Sequence, residues 1–167
     1  MPRCRSLGIA LTLLAAVALT APALARDSLG VFGEWGAFRD AKGVRCYAIA
    51  MAQESRNARD FEPYASIGSW PGRNVRGQLH IRLSRSKHAD SRVTLSVGRQ
   101  NFALTGSGSN AWPADRAMDA RVLAAIRSGT SMSISTTDTR GRRFTDRYGL
   151  AGATTAIDAA TVGCARR

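Results

Sequence analysis

The sequence is poor in the residues from which most active sites are built. Its 167 residues include two histidines, His80 and His88, and three cysteines, Cys4, Cys46 and Cys164. Two histidines and scattered aspartates show neither His-x-x-x-His spacing nor an EF-hand loop, so no metal site is expected. His80 and His88 stand near Ser84 and Asp90, but no Gly-x-Ser-x-Gly elbow accompanies them. His80 lies on the polar side of an alternating segment and His88 in a turn, which is how ordinary surface histidines are placed. Gly106-Ser107-Gly108-Ser109-Asn110 reads as a flexible, glycine-rich loop, yet lacks the Gly-Lys-Ser/Thr ending that a phosphate-cradling loop needs. No Cys-x-x-Cys spacing offers a redox pair. We therefore assign no catalytic, cofactor-binding or metal residue and read the chain as non-enzymatic.

Long apolar runs are also lacking after the first 25 residues, so no transmembrane segment is expected. Those first residues are distinctive. Met1–Ala25 carries Arg3 and Arg5, runs apolar from Leu7 to Leu19 apart from Gly8 and Thr12, and ends on Ala23-Leu24-Ala25. This is the pattern of a cleavable signal peptide: a positive start, an apolar stretch too short to span a bilayer, and a small-x-small cleavage site. Removing these 25 residues, two of them Arg, leaves 26–167 and lowers the formal charge from +12 to about +10. A chain of that size suits one domain with one core. Cys4 precedes the apolar stretch, unlike a lipoprotein cysteine. The expected location is the periplasm or the outer surface of a Gram-negative bacterium. Two cysteines then remain in an oxidising compartment, and Cys46 and Cys164 are expected to form one long-range disulfide.

What is present is β periodicity. Residues 78–84 alternate strictly, with Leu79, Ile81 and Leu83 on one face. Residues 92–97 and 100–104 do the same with Val93, Leu95, Val97, Phe102 and Leu104, joined by Gly98-Arg99 as a type II′ hairpin turn. Residues 131–136 and 143–148 form another pair around Asp138-Thr139-Arg140-Gly141, and 44–50 reads as a central strand next to a short one at 34–38. Between Pro113 and Gly129, Met118, Val122, Ala125 and Ile126 recur at helical spacing, with Asp115 and Asp119 early and Arg127 late to match the helix dipole. A weaker helical pattern at 154–162 would deliver Cys164 to the clamp. About seven strands and one or two short helices imply a mainly β fold, an antiparallel sandwich or open barrel.

Two residue types stand out as binding candidates. After the signal, the cations are 20 Arg and only Lys42 and Lys87. Arg73, Arg76, Arg82, Arg85, Lys87, Arg92 and Arg99 crowd one region, and Arg140, Arg142, Arg143 and Arg147 another. Arg grips phosphate and carboxylate bidentately, so outward strand faces bearing Arg82, Arg92 and Arg143 are candidate anion-binding surfaces, beside the plainer reading as solvated faces. Nucleic acid is disfavoured by export and by the lack of a reader motif. Trp70, in Ser69-Trp70-Pro71-Gly72 at a loop tip, is the candidate contact aromatic; Trp35 and Trp112 suit core or edge cover.

Phe32-Gly33-Glu34-Trp35, then Arg45-Cys46-Tyr47, the late strand 131–137 and Tyr148-Gly149-Leu150-Ala151-Gly152-Ala153 together resemble the invasion-associated locus B family of alphaproteobacteria. The resemblance implies a small, exported, β-rich envelope protein; some members are associated with invasion of host cells. The chain departs from the family in having no cysteine at Phe38-Arg39-Asp40, shortly after the early Trp, and none in the helical segment 112–130, and the resemblance carries over no catalytic residue.

The function these features favour is binding of an anionic envelope glycolipid or glycan, or of an envelope protein. Two rivals stand beside it. One is a periplasmic inhibitor or assembly factor that uses the polar loop 53–62 and the Trp70 loop. The other is an enzyme with an unrecognised site, for which His80 is the first candidate.

Overall fold

The computed structural model describes residues 26–40 and 45–165; the expected signal peptide at 1–25, Lys42 and Val44 lie outside them. Within these residues ten strands and two helices follow in the order β1 Asp27–Phe32, β2 Trp35–Arg39, β3 Cys46–Met51, β4 Tyr64–Trp70, β5 Val75–Arg82, β6 Val93–Val97, β7 Gln100–Ser107, β8 Asn110–Trp112, α1 Arg116–Ser128, β9 Ser131–Thr137, β10 Arg143–Gly149 and α2 Ala153–Ala165. The strands form one antiparallel sheet ordered β1-β2-β3-β4-β5-β8-β7-β6-β9-β10. This is the mainly β, open-barrel architecture with two short helices that the sequence pattern implies.

The alternating residues do what period-2 patterning requires. Leu79, Ile81, Leu83, Val93, Leu95, Val97, Met132, Ile134, Phe144 and Tyr148 are all buried on the inner face. Hairpins that turn through Gly33-Glu34, Gly98-Arg99 and Gly108-Ser109 open with a positive-φ glycine (57°, 56° and 56°), and the second residue of each keeps a negative φ, the type II′ arrangement.

Both helices lie on the inner face. α1 begins at Asp115, whose carboxylate accepts from Met118 N at 2.7 Å, a cap worth about 1 kcal/mol. It buries Val122, Ala125 and Ile126 against β5 and β6. α2 runs three residues further than its sequence pattern suggests and packs on β1–β4. It brings Cys164 to Cys46, Cα to Cα 5.7 Å, closing the expected disulfide across a sequence separation of 118.

Four sequence expectations need correcting. There are ten strands among the described residues, not seven: β1 and the three-residue β8 carry no inward apolar alternation, and in β4 it is limited to Ala65 and Ile67. Residues 106–110 are the end of β7, a tight turn and the start of β8 rather than a loose loop. Asp119 is buried instead of serving only the helix dipole; it accepts from Leu79 N at 2.9 Å. That N–H needs a partner because the short β8 pairs with β5 only at Ile81 and Arg82. Trp70 ends β4 and is not a loop tip.

The sheet curls until β10 meets the start of β2. Trp35 is fully buried and its indole Nε1 donates to Gly149 O at 2.9 Å, while Glu34 N donates to Ala151 O at 3.1 Å. Gly152 is required there: its φ is +84°, and a Cβ on it would stand 1.8 Å from the Phe32 carbonyl oxygen. Phe32–Trp35 and Tyr148–Ala153, the two segments most distinctive in the sequence, thus form one joint.

Candidate functional site

The structure divides the arginine clusters into structural and free cations. Arg85 and Lys87 are buried. Arg85 donates to Ala58 O, 2.6 Å from Nη2, and sits 3.4 Å from Asp138; Lys87 Nζ donates to the carbonyls of His88 and Ala89 at 2.8 and 2.7 Å. Asp138 also accepts from the backbone N–H groups of Arg140 and Arg142, both at 2.9 Å, which with the Arg142 guanidinium holds its carboxyl below the usual carboxylate range. These charges lock the β9–β10 turn and are not available to a ligand.

Arg82, Arg92 and Arg143 do not form one cluster. Arg143 pairs with Thr137 and, like Arg92 just before β6, is exposed on the β6–β9–β10 half of the sheet. Arg82 lies on β5, on the other half, opposite Tyr64 and Asn110.

It is around Arg82 that side chains converge. The outward residues of β2–β5 stand in register. Phe38, Tyr47, Gly68 and Gln78 form one row; Gly36, Ile49, Ser66 and His80 the next; Met51, Tyr64 and Arg82 the third. Phe38 and Tyr47 rings are 5.7 Å apart, and those of Tyr64 and His80 5.8 Å. Trp70 folds back over Gly68 and Phe38 over Gly36: a Cβ on either glycine would lie 2.9 or 2.7 Å from the ring. Residues i and i+2 share a strand face, so Gly-x-aromatic lets the ring occupy the space above the bare Cα.

An arginine rests on aromatic rings at each end of this face. The Arg45 guanidinium sits 4.2 Å from the Tyr47 ring centre and 5.7 Å from that of Trp70, and its Nε is 3.3 Å from Asp40. The Arg82 guanidinium lies 4.3 Å from the Phe61 ring centre. Such stacking is worth about 0.5–1 kcal/mol at exposed positions and fixes the cation while leaving N–H groups free. From Arg45 to Met51, which is level with Arg82, is six residues of strand, or about 20 Å. The face is therefore long and shallow, shaped for a polymer more than for a compact ligand.

His80 lies in the middle of the face. Its Nε2 donates to Asn110 Oδ1 at 3.0 Å, and burial, with the charges of Arg82 and Arg45, holds its pKa below the usual 6.5. Its ring thus faces an amide and a phenol. Trp70, half-buried, is at the edge of the face as a contact aromatic would be. Sequence reasoning missed Arg45, Tyr47, Tyr64 and Phe38; the Gly-x-aromatic spacing that Gly36–Phe38 shares with Gly68–Trp70 marks Phe38 alone, and no local pattern marks the other three.

No protein-family model matches this chain, and no curated protein does. Among solved structures, the crystal structure of invasion associated protein B from Bartonella henselae is similar in fold: TM-score 0.59 and 14% identity, over 80% of this chain and 95% of that one. At that identity the likeness is one of fold. No helix among the described residues is long and apolar enough to cross a membrane.

Proposed function

We propose that the chain is an exported, non-enzymatic binding protein of a Gram-negative envelope, and that the outer face of β2–β5 takes an anionic glycan of that envelope. The observation that carries the reading is the pair of ring-stacked arginines, Arg45 and Arg82, set about 20 Å apart at the ends of an aromatic sheet face. Sugar rings stack on aromatic side chains, and a guanidinium fixed in place donates bidentately to carboxylate or phosphate at small entropic cost. The disulfide suits an oxidising compartment, and the fold it shares with invasion associated protein B agrees with the resemblance in the sequence.

The experiment is retention of the oxidised protein on purified peptidoglycan and on lipopolysaccharide across a salt series, with an uncharged polysaccharide as control. Retention on an anionic glycan should weaken steeply with salt. Trp70→Ala and the pair Arg45→Gln with Arg82→Gln should each weaken it at least about tenfold, and Arg92→Gln with Arg143→Gln should leave it unchanged. Retention lost through Arg92 and Arg143 instead, or no retention on either material, would overturn the assignment.

A further inference from the structure

The opposite, inner surface of β4 and β5 carries a second feature. There a cleft of about 340 Å³ lies between α1 and α2. Its walls are apolar: Ile67 and Val75 from the sheet, Ala120 and Leu123 from α1, Ile157 and Ala160 from α2. On α1 the cleft residues Arg116, Ala120, Leu123 and Arg127 recur at i, i+4, i+7 and i+11, a single stripe about 16 Å long. Gly77 approaches Leu123 so closely that a Cβ on it would stand 2.7 Å from that side chain, which brings the sheet up as the cleft floor.

The two ends differ in charge. At one end Arg127 and Asp158 bridge the helices at 2.6 Å, and their charges cancel. At the other, Arg76 and Arg116 flank the opening. Both are exposed, and among the described residues neither meets a carboxylate; Arg116 donates once, to Asn74 O at 3.0 Å. The cleft therefore combines an apolar trough, a neutral end and a doubly cationic end.

From this arrangement we infer that the cleft binds a single-chain amphiphile with a carboxylate head, of the fatty-acid type. The tail lies along the Ala120–Leu123 stripe toward the Arg127–Asp158 bridge, and the carboxylate sits between Arg76 and Arg116. At roughly 1.2 Å per bond of an extended chain, 16 Å accommodates about a dozen carbons. The volume falls at the small end of ligand pockets. The site uses no residue of the aromatic outer face, so this inference and the glycan reading stand or fall separately.

The test is calorimetric titration of the oxidised protein with dodecanoate below its micellar concentration, beside dodecyltrimethylammonium, which has the same tail and the opposite charge. One dodecanoate should bind per chain and raise the melting temperature, and the cationic amphiphile should bind at least tenfold more weakly. Arg76→Glu with Arg116→Glu should reverse that preference. Ala120→Phe, an exposed helix position whose ring would fill the trough, should abolish uptake of both at an unchanged melting temperature of the ligand-free protein. Absence of dodecanoate binding, equal binding of the two amphiphiles, or uptake undiminished in correctly melting Ala120→Phe would each overturn the inference.

Discussion

Opening the Cys46–Cys164 bridge should cost this protein most of its margin. In the chain-entropy account, a cross-link spanning 118 positions removes about 16 cal/mol/K from the unfolded chain, or about 5 kcal/mol at room temperature. A domain of about 140 residues gains about 0.3 kcal/mol/K of entropy on melting, so that loss corresponds to a fall of about 16 °C. The total stability of such a domain is about 5–15 kcal/mol, which leaves the reduced protein marginal near body temperature. Circular dichroism melts of the oxidised wild type, the reduced wild type and Cys46→Ala with Cys164→Ala separate two causes. The reduced wild type keeps both sulfurs in the core, where Cys46 is fully buried, and lacks only the tether. It should melt close to the double variant. A reduced protein melting within about 5 °C of the oxidised one would refute the tether argument, and the stabilisation would then lie in packing.

Two further outcomes follow from buried polar groups. Asp119→Ala should destabilise by about 1–3 kcal/mol in urea unfolding, because Leu79 N–H then has no acceptor; Asp119→Asn keeps an acceptor oxygen and should recover most of the loss, the more so because burial raises the Asp119 pKa and makes its charge costly. Acidification should destabilise in two stages. The His80 pKa is lowered in the folded state, so its contribution is intact above 6.5 and declines as the unfolded chain takes up the proton below that; Asp138, also lowered, adds a second loss once the pH drops below 3.8. Melting temperatures from pH 8 to 3 should show both, and His80→Gln should remove the first stage alone.

Where one face of a strand is buried and the other is wet, the sequence already displays the fold. The stretches 78–84, 92–97, 131–136 and 143–148 show it, as does the stripe Val122, Ala125, Ile126 of α1. β4 does not show it, because its inward positions are Ala65, Ile67 and Ser69 and its bulk, Tyr64 and Trp70, points outward. The period is there, but the largest side chains are on the outer face. The fate of the cations was equally hidden. Arg82 and Arg85 are three residues apart, yet one rests on Phe61 at the surface and the other is buried beside Asp138, 53 positions away. No local signal distinguishes them. The outer aromatic face exists only through the register of four strands, and the trough between the helices only through the way two distant segments pack on one sheet. Trp70 and Arg82 were legible as contact candidates; their neighbours were not.

A ten-stranded open sheet has two edges, and an exposed edge normally invites a strand from another chain. Here both are spoiled. On β10, Arg147 O accepts from Gln53 N at 2.8 Å and Gly149 O from the Trp35 indole, so two of the acceptors that an incoming strand would use are taken by the protein itself. On β1 the register slips between Ser28 and Gly30, and Asp27 at its start is charged and paired with Arg39. Strand addition is thereby hindered at both edges, which leaves the face of the sheet and the trough behind it as the less obstructed surfaces.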